Sequence, residues 1–121
     1  MLGTNNILLS ASPDASRAIA RMDALMRHLL ALPEHPRLLL IAPPHIAPGP
    51  ETAADPLYER FHTESVHMNE GFRRLAGDLG IAFADAADWD VALSHDRVHF
   101  SEAGHQRFAR ALADFILQSF S

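Results

Sequence analysis

Asp96 and His99 stand three residues apart in the stretch Asp96-Arg97-Val98-His99-Phe100-Ser101-Glu102-Ala103-Gly104-His105-Gln106. On a tight turn, a carboxylate at that spacing folds back onto the imidazole and accepts the Nδ1 proton. Nε2 is then left facing outward as a base. Ser101, followed by Glu102, reads as a helix start directly behind the pair, which would fix its direction. Two fixed residues make a weak motif, and a surface acid–histidine pair capping a helix is commoner than a catalytic one. A second chemistry competes for the same stretch. His95, Asp96, His99 and His105 lie close together, and His95 and His99 have the four-residue spacing of ligands on a helix. The segment reads as a turn rather than a helix, so no metal is expected.

The other end of the chain offers a partner for such a base. Met1-Leu2-Gly3-Thr4-Asn5-Asn6 reads as the last step of a buried strand and the loop leaving it. Loops at strand C-termini carry the ligand-binding groups of open α/β sheets. The amide of Asn5 could there donate to a developing oxyanion. Gly-Thr-Asn-Asn is also, by composition alone, a plain turn.

The elements that must position these ends follow from hydrophobic spacing. Ser12-Pro13-Asp14 predicts a helix start, with Ser12 as cap, for a helix over 13–32. Its buried stripe is Ala15, Ala18, Ile19, Met22, Leu25, Met26, Leu29 and Leu30. Residues 37–42 form an uninterrupted apolar run, the pattern of a strand covered on both faces. Pro43-Pro44-His45-Ile46 opens a long loop to about residue 56, placed to form a wall of a site, with Pro44 and His45 as candidate substrate-loop residues. A solvent-exposed loop histidine is the plainer account of His45. Residues 56–79 read as helical in two pieces, Ile81-Ala82-Phe83-Ala84 as a second buried strand, and 102–119 as a final helix burying Phe108, Leu112, Phe115 and Ile116. The alternation of helix and strand predicts a parallel sheet flanked by helices in one domain over 1–121.

Bulk properties narrow the chemistry. The 121 residues carry a formal net charge of −5, and no basic stripe gathers on any segment, so nucleic acid is not an expected partner. No run of eighteen apolar residues predicts a membrane span, and no signal-peptide pattern is visible, which leans toward a cytoplasmic location. The absence of cysteine excludes disulfides and thiol catalysis, and all 10 basic side chains are arginine, which excludes lysine Schiff-base chemistry.

Three blocks together resemble the SGNH hydrolase (GDSL-type esterase/lipase) superfamily. Gly3-Thr4-Asn5-Asn6 resembles its G-x-N-D block, with Asn6 where Asp is usual. Asp96-x-x-His99 resembles its terminal D-x-x-H block, and Leu38-Leu39-Leu40-Ile41-Ala42-Pro43-Pro44 resembles the strand and loop of its arylesterase-like branch. The likeness runs along essentially the whole chain but matches only the C-terminal half to two-thirds of such an enzyme. It implies a flavodoxin-like three-layer α/β/α fold, truncated at its N-terminus. It also implies a serine ester hydrolase acting on small acyl or aryl esters through an acyl-enzyme, without a cofactor. Asn5 would be an oxyanion-hole donor, His99 the general base and Asp96 its orienter. Neither G-D-S nor G-x-S-x-G occurs in the sequence, so the nucleophile is unassigned. Ser10, Ser12, Ser94 and Ser101 lie near the motifs without a suitable setting. The strand at 38–42 is expected to have an unpaired apolar edge. Three expectations follow from that edge: a homo-oligomer, a complementing N-terminal segment, or a Met1 that is an internal start. The alternative function is an inactive SGNH-like remnant serving as a binding or dimerisation module.

Overall fold

Strand β1 (Leu39–Ala42) pairs in parallel with β2 (Ala82–Asp85), Leu39 opposite Ala82 and Ala42 opposite Asp85. The computed structural model describes residues 2–10, 12–48 and 55–120. Met1, where an internal start was expected, and positions 49–54 of the long loop lie outside the described residues. Among the described residues the sheet has these two strands alone. Parallel neighbours require a crossover, and the 24-residue helix α3 (Pro56–Leu79) supplies it.

Helix α3 is one helix, not the two pieces its two glycines suggest. Phe61, Ser65, Met68, Phe72, Leu75 and Ala76 form one buried stripe at three- and four-residue spacing along it. Burial of that stripe outweighs the roughly 1 kcal/mol that each interior glycine costs relative to alanine. Asp55 caps the helix by accepting from the backbone N–H of Leu57, and Pro56 occupies the first turn.

Helix α2 (Ala15–Leu30) packs along α3. It begins later than the 13–32 reading. Asp14, extended at φ −152°, is the cap, with its carboxylate accepting from the N–H of Ser16. Ser12 instead belongs to the preceding turn, where its N–H donates to Ser10 Oγ and its Oγ accepts from Arg60. Ala15, Ala18, Met22 and Met26 are buried as the spacing predicts, and Ile19 and Leu29 pack against them, but Leu25 is exposed.

The other departure is at the start of the chain. Thr4–Leu8 form a short helix, α1, instead of an open loop. Gly3 turns the chain into it at φ +96°, and a Cβ there would stand 2.8 Å from Met68 Sδ. Ile7 is fully buried, which fastens α1 into the core formed by α2, α3 and β1.

The last helix, α4 (Glu102–Phe120), begins where predicted, with Ser101 Oγ accepting from the N–H of Gly104. Its expected burial is not reached. Gly104 is its one buried residue, Phe108, Leu112 and Phe115 are half-buried, and Ile116 and Leu117 are exposed. The helix is held instead at two points. Phe108 packs with Trp89, the last residue of a 3-10 turn (Ala86–Trp89), and with Phe100. At the far end Arg37 stacks on Phe120.

The edge of β1 away from β2 borders an apolar groove of about 280 Å³ lined by Leu2, Met22, Leu25, Met26, Leu39 and Ile41. Among the described residues no helix is long and apolar enough to cross a membrane.

Candidate active site

The turn from Ser94 to Ser101 is closed by its own backbone. The N–H of Ser94 donates to His99 O at 2.7 Å, that of Arg97 to Ser94 O at 2.9 Å, and that of Ser101 to Ala92 O at 3.0 Å. Leu93 and Phe100 bridge antiparallel across it. Inside this hairpin the two oxygens of Asp96 have separate tasks. Oδ1 accepts from Ser94 Oγ at 2.8 Å and from the N–H groups of Val98 and His99, both at 2.9 Å. Oδ2 accepts from His99 Nδ1 at 2.5 Å. The N–H of Val98 first, then the His99 ring, the His99 N–H and the Ser94 hydroxyl hold the Asp96 carboxyl well below the usual carboxylate range. An ionised carboxylate only accepts, so Nδ1 carries a proton and Nε2 is the ring nitrogen turned away from Asp96. The His99 side chain is 81% exposed, which leaves Nε2 accessible.

His99 lines one wall of a cleft of about 210 Å³, and Asn5 lies on the same cleft. The two ends of the sequence therefore meet. Thr4 and Asn5 come from the first turn of α1, directly after the constrained Gly3. Pro43, Pro44 and Ile46 come from the loop following β1, and Val98, Phe100 and His105 complete the lining. The loop wall is fastened from three sides. Ile46 N–H donates to the buried Ser65 hydroxyl at 3.0 Å, His62 Nδ1 donates to Ile46 O at 2.8 Å, and Ala47 N–H donates to Arg97 O at 3.2 Å. Below it, Asn69 Nδ2 ties Pro43 O at 2.7 Å to Asp85 Oδ1 at 2.8 Å, joining the ends of both strands.

Of the sequence candidates, Asn5, Pro44 and His99 line this cleft and Asp96 supports it from behind. His45 does not line it. Its ring packs edge-on against that of His62, 5.8 Å between centroids, and burial chiefly pulls its pKa down, with Asp85 opposing. The serines near the motifs take structural parts: Ser94 holds Asp96 and Ser101 caps α4. Among the described residues no serine lines the cleft. His95, Asp96, His99 and His105 do not converge, since the described residues contain no group of three or more potential metal ligands. The sequence names Ser94 only among the serines near the motifs, not as a partner of Asp96, and does not mark Ser65 or Asn69, since these contacts are long-range or lie in turn geometry that no spacing rule marks.

The sequence model of the GDSL-like lipase/acylhydrolase family matches residues 1–107. The chain belongs to this family. Solved structures agree. The chain is similar to a putative arylesterase from Agrobacterium tumefaciens, with 30% identity over 98% of this chain and 58% of that one, at a TM-score of 0.82. It is similar to Est24, a carbohydrate acetylesterase from Sinorhizobium meliloti, with 26% identity over 99% of this chain and 59% of that one, at a TM-score of 0.77. An aryl esterase of M. smegmatis shares the fold at 23% identity over 98% of this chain and 58% of that one, at a TM-score of 0.78. The chain thus spans under 60% of the length of these structures. No curated protein sequence matches it significantly. The parallel-sheet fold and the ester-hydrolase family are those the three sequence blocks imply.

Proposed function

We propose that this chain supplies the base and an oxyanion donor of a carboxylic ester hydrolase acting through an acyl-enzyme. The observation that carries the reading is the presence of Asn5 and the Asp96-held His99 on one cleft. His99 Nε2 would take the proton of a serine hydroxyl as its oxygen attacks the ester carbonyl. The imidazolium, stabilised by Asp96, would then return that proton to the departing alcohol. The Asn5 amide would donate to the oxygen that becomes negative in the tetrahedral intermediate. Water would repeat the sequence on the acyl-serine and release the acid. The apolar walls from Pro43, Pro44, Ile46 and Phe100 suit a small acyl or aryl group.

The serine is assigned to a segment that adds to the open edge of β1, in the same polypeptide or another, because among the described residues no serine lines the cleft and that edge lies beside Leu2. Small esters are the expected substrates. A self-associating, inactive binding module is the second reading, favoured by the same apolar groove.

The test is turnover of p-nitrophenyl acetate with labelling by a fluorophosphonate, read by intact mass. In any assembly that turns over, His99→Ala is expected to lower kcat by about 10⁶-fold, with loss of the serine adduct. His105→Ala should keep both within a few-fold. Turnover and labelling that persist in His99→Ala would refute the assignment.

A further inference from the structure

Asn5 borders a second cleft besides the first. This one measures about 320 Å³ and is lined by Asn5, Asn6, Leu9, Ser10, Arg17 and Arg21. Arg17 and Arg21 are one turn apart on α2, so their side chains share one face. Like charges at that spacing cost a few tenths of a kcal/mol in an isolated helix. Neither guanidinium makes an ion pair within 4 Å among the described residues, whereas Arg27 and Arg73 on other faces do. Glu64 accepts from the N–H of Ala15 at 2.9 Å, and Asp14 lines an adjoining hollow with Arg17. Asp14 is committed to capping α2 through the N–H of Ser16. Arg60 adds a third positive charge nearby, bound to Ser12 Oγ and Pro13 O. A local excess of positive charge thus sits on a chain whose formal net charge is −5.

From this juxtaposition we infer that the Arg17–Arg21 cleft binds an anionic group, carboxylate or phosphate, on the alcohol half of the ester whose carbonyl lies at Asn5. The inference rests on the role proposed for Asn5 and adds a substrate class: acidic esters. Guanidinium forks match the two oxygens of a carboxylate or phosphate. The amide of Asn6 supplies donors and an acceptor for neutral hydroxyls beside the charge, while the Ser10 hydroxyl, which already donates to Ser12 O at 2.7 Å, can only accept. Asn5 lies on both clefts, so a ligand crossing it would have its ester in one and its anion in the other.

The experiment needs no turnover. The ¹⁵N-labelled chain is titrated with glucuronate, inorganic phosphate or glucose at fixed ionic strength, and the amides of residues 5–21 and the arginine Nε–H groups are followed. Glucuronate or phosphate should give saturable shifts at Asn6, Arg17 and Arg21, with the tighter anion naming the source, while glucose gives none. An Arg17→Gln/Arg21→Gln variant should bind at least about 10-fold more weakly, the loss of roughly one charge-assisted contact. A well-dispersed spectrum of that variant confirms its fold. No saturation by either anion, equal shifts with glucose, or unchanged affinity in the variant overturns the inference. Failure of the His99 assignment would leave these shifts intact and shows itself only in turnover.

Discussion

The carboxylate of Asp96 is the most heavily committed group in the site. Four donors reach its two oxygens, and its pKa is lowered accordingly. A carboxyl depressed on folding contributes stability that is fully present above its unfolded value near about 3.9 and is lost as pH falls through the folded value. The amide resonances of Val98 and His99 should therefore titrate below the ordinary carboxylate range in the wild type. In Asp96→Asn that transition should vanish, and a transition that remained would place it on another group. Asn at this position can also donate, which would favour the wrong imidazole tautomer. Beside it, Arg97 holds φ +66° without being glycine, its guanidinium 5.0 Å from the Tyr58 ring centroid. Left-handed backbone costs a non-glycine residue about 1–2 kcal/mol, and a cation–π contact at an exposed site returns about 0.5–1. Arg97→Ala keeps the strain and loses the stacking, so it should unfold about 1 kcal/mol more easily than Arg97→Gly in urea. Equal stability of the two would mean the turn is not strained.

At the scale of elements, α4 is bound where its first turn meets the Asp96–His99 hairpin. A Cβ on Gly104 would lie 2.0 Å from Ala92 O, the atom that also accepts from Ser101 N–H and Oγ. Gly104→Ala must push α4 away from the hairpin, at a cost of about 1–3 kcal/mol. Thermal unfolding should show it, and an unchanged midpoint would mean that the helix is free to shift. This contact was not legible in the sequence. Gly104 sits inside a helical pattern and looks like a simple weakness, because the backbone oxygen opposite it comes from twelve residues earlier. Apart from α1, which is too short to show a period, the helices and strands were legible, since their apolar spacing reports which face is covered. Burial on α4 was overestimated for the converse reason: spacing names the face that could be covered, and Ile116 and Leu117 remain exposed. At the site, the Asp96–His99 pair was legible because its partners are three residues apart. The companionship of Asn5 was legible only by likeness to a family, and the positions of Ser65 and Asn69 beneath the wall were not legible at all.

At the scale of the whole molecule, among the described residues β1 is paired along one edge alone. The open edge of β1, with Leu2, Leu25 and Met26 around it, offers unpaired backbone groups beside apolar side chains, the usual condition for strand addition. Leu25 is 38% exposed and can be changed without opening the core. Leu25→Lys is expected to weaken self-association of the purified chain at least about 10-fold, one unit of 1.4 kcal/mol, with little change in its circular dichroism. Sedimentation equilibrium measures this directly. A wild-type chain that stayed monomeric at every concentration would remove self-association as the use of that edge.

The hairpin that holds His99 also bears on the order in which the site assembles. Its bonds join residues within a span of about ten, so closing it requires little loss of chain entropy. Asn5 must be brought in from the far end of the sequence, after α3 has carried the chain across the sheet. Contacts that are distant in sequence form late and slowly. The Asp96–His99 pair is therefore ready early, and the Asn5 side of the cleft is the last part to arrive.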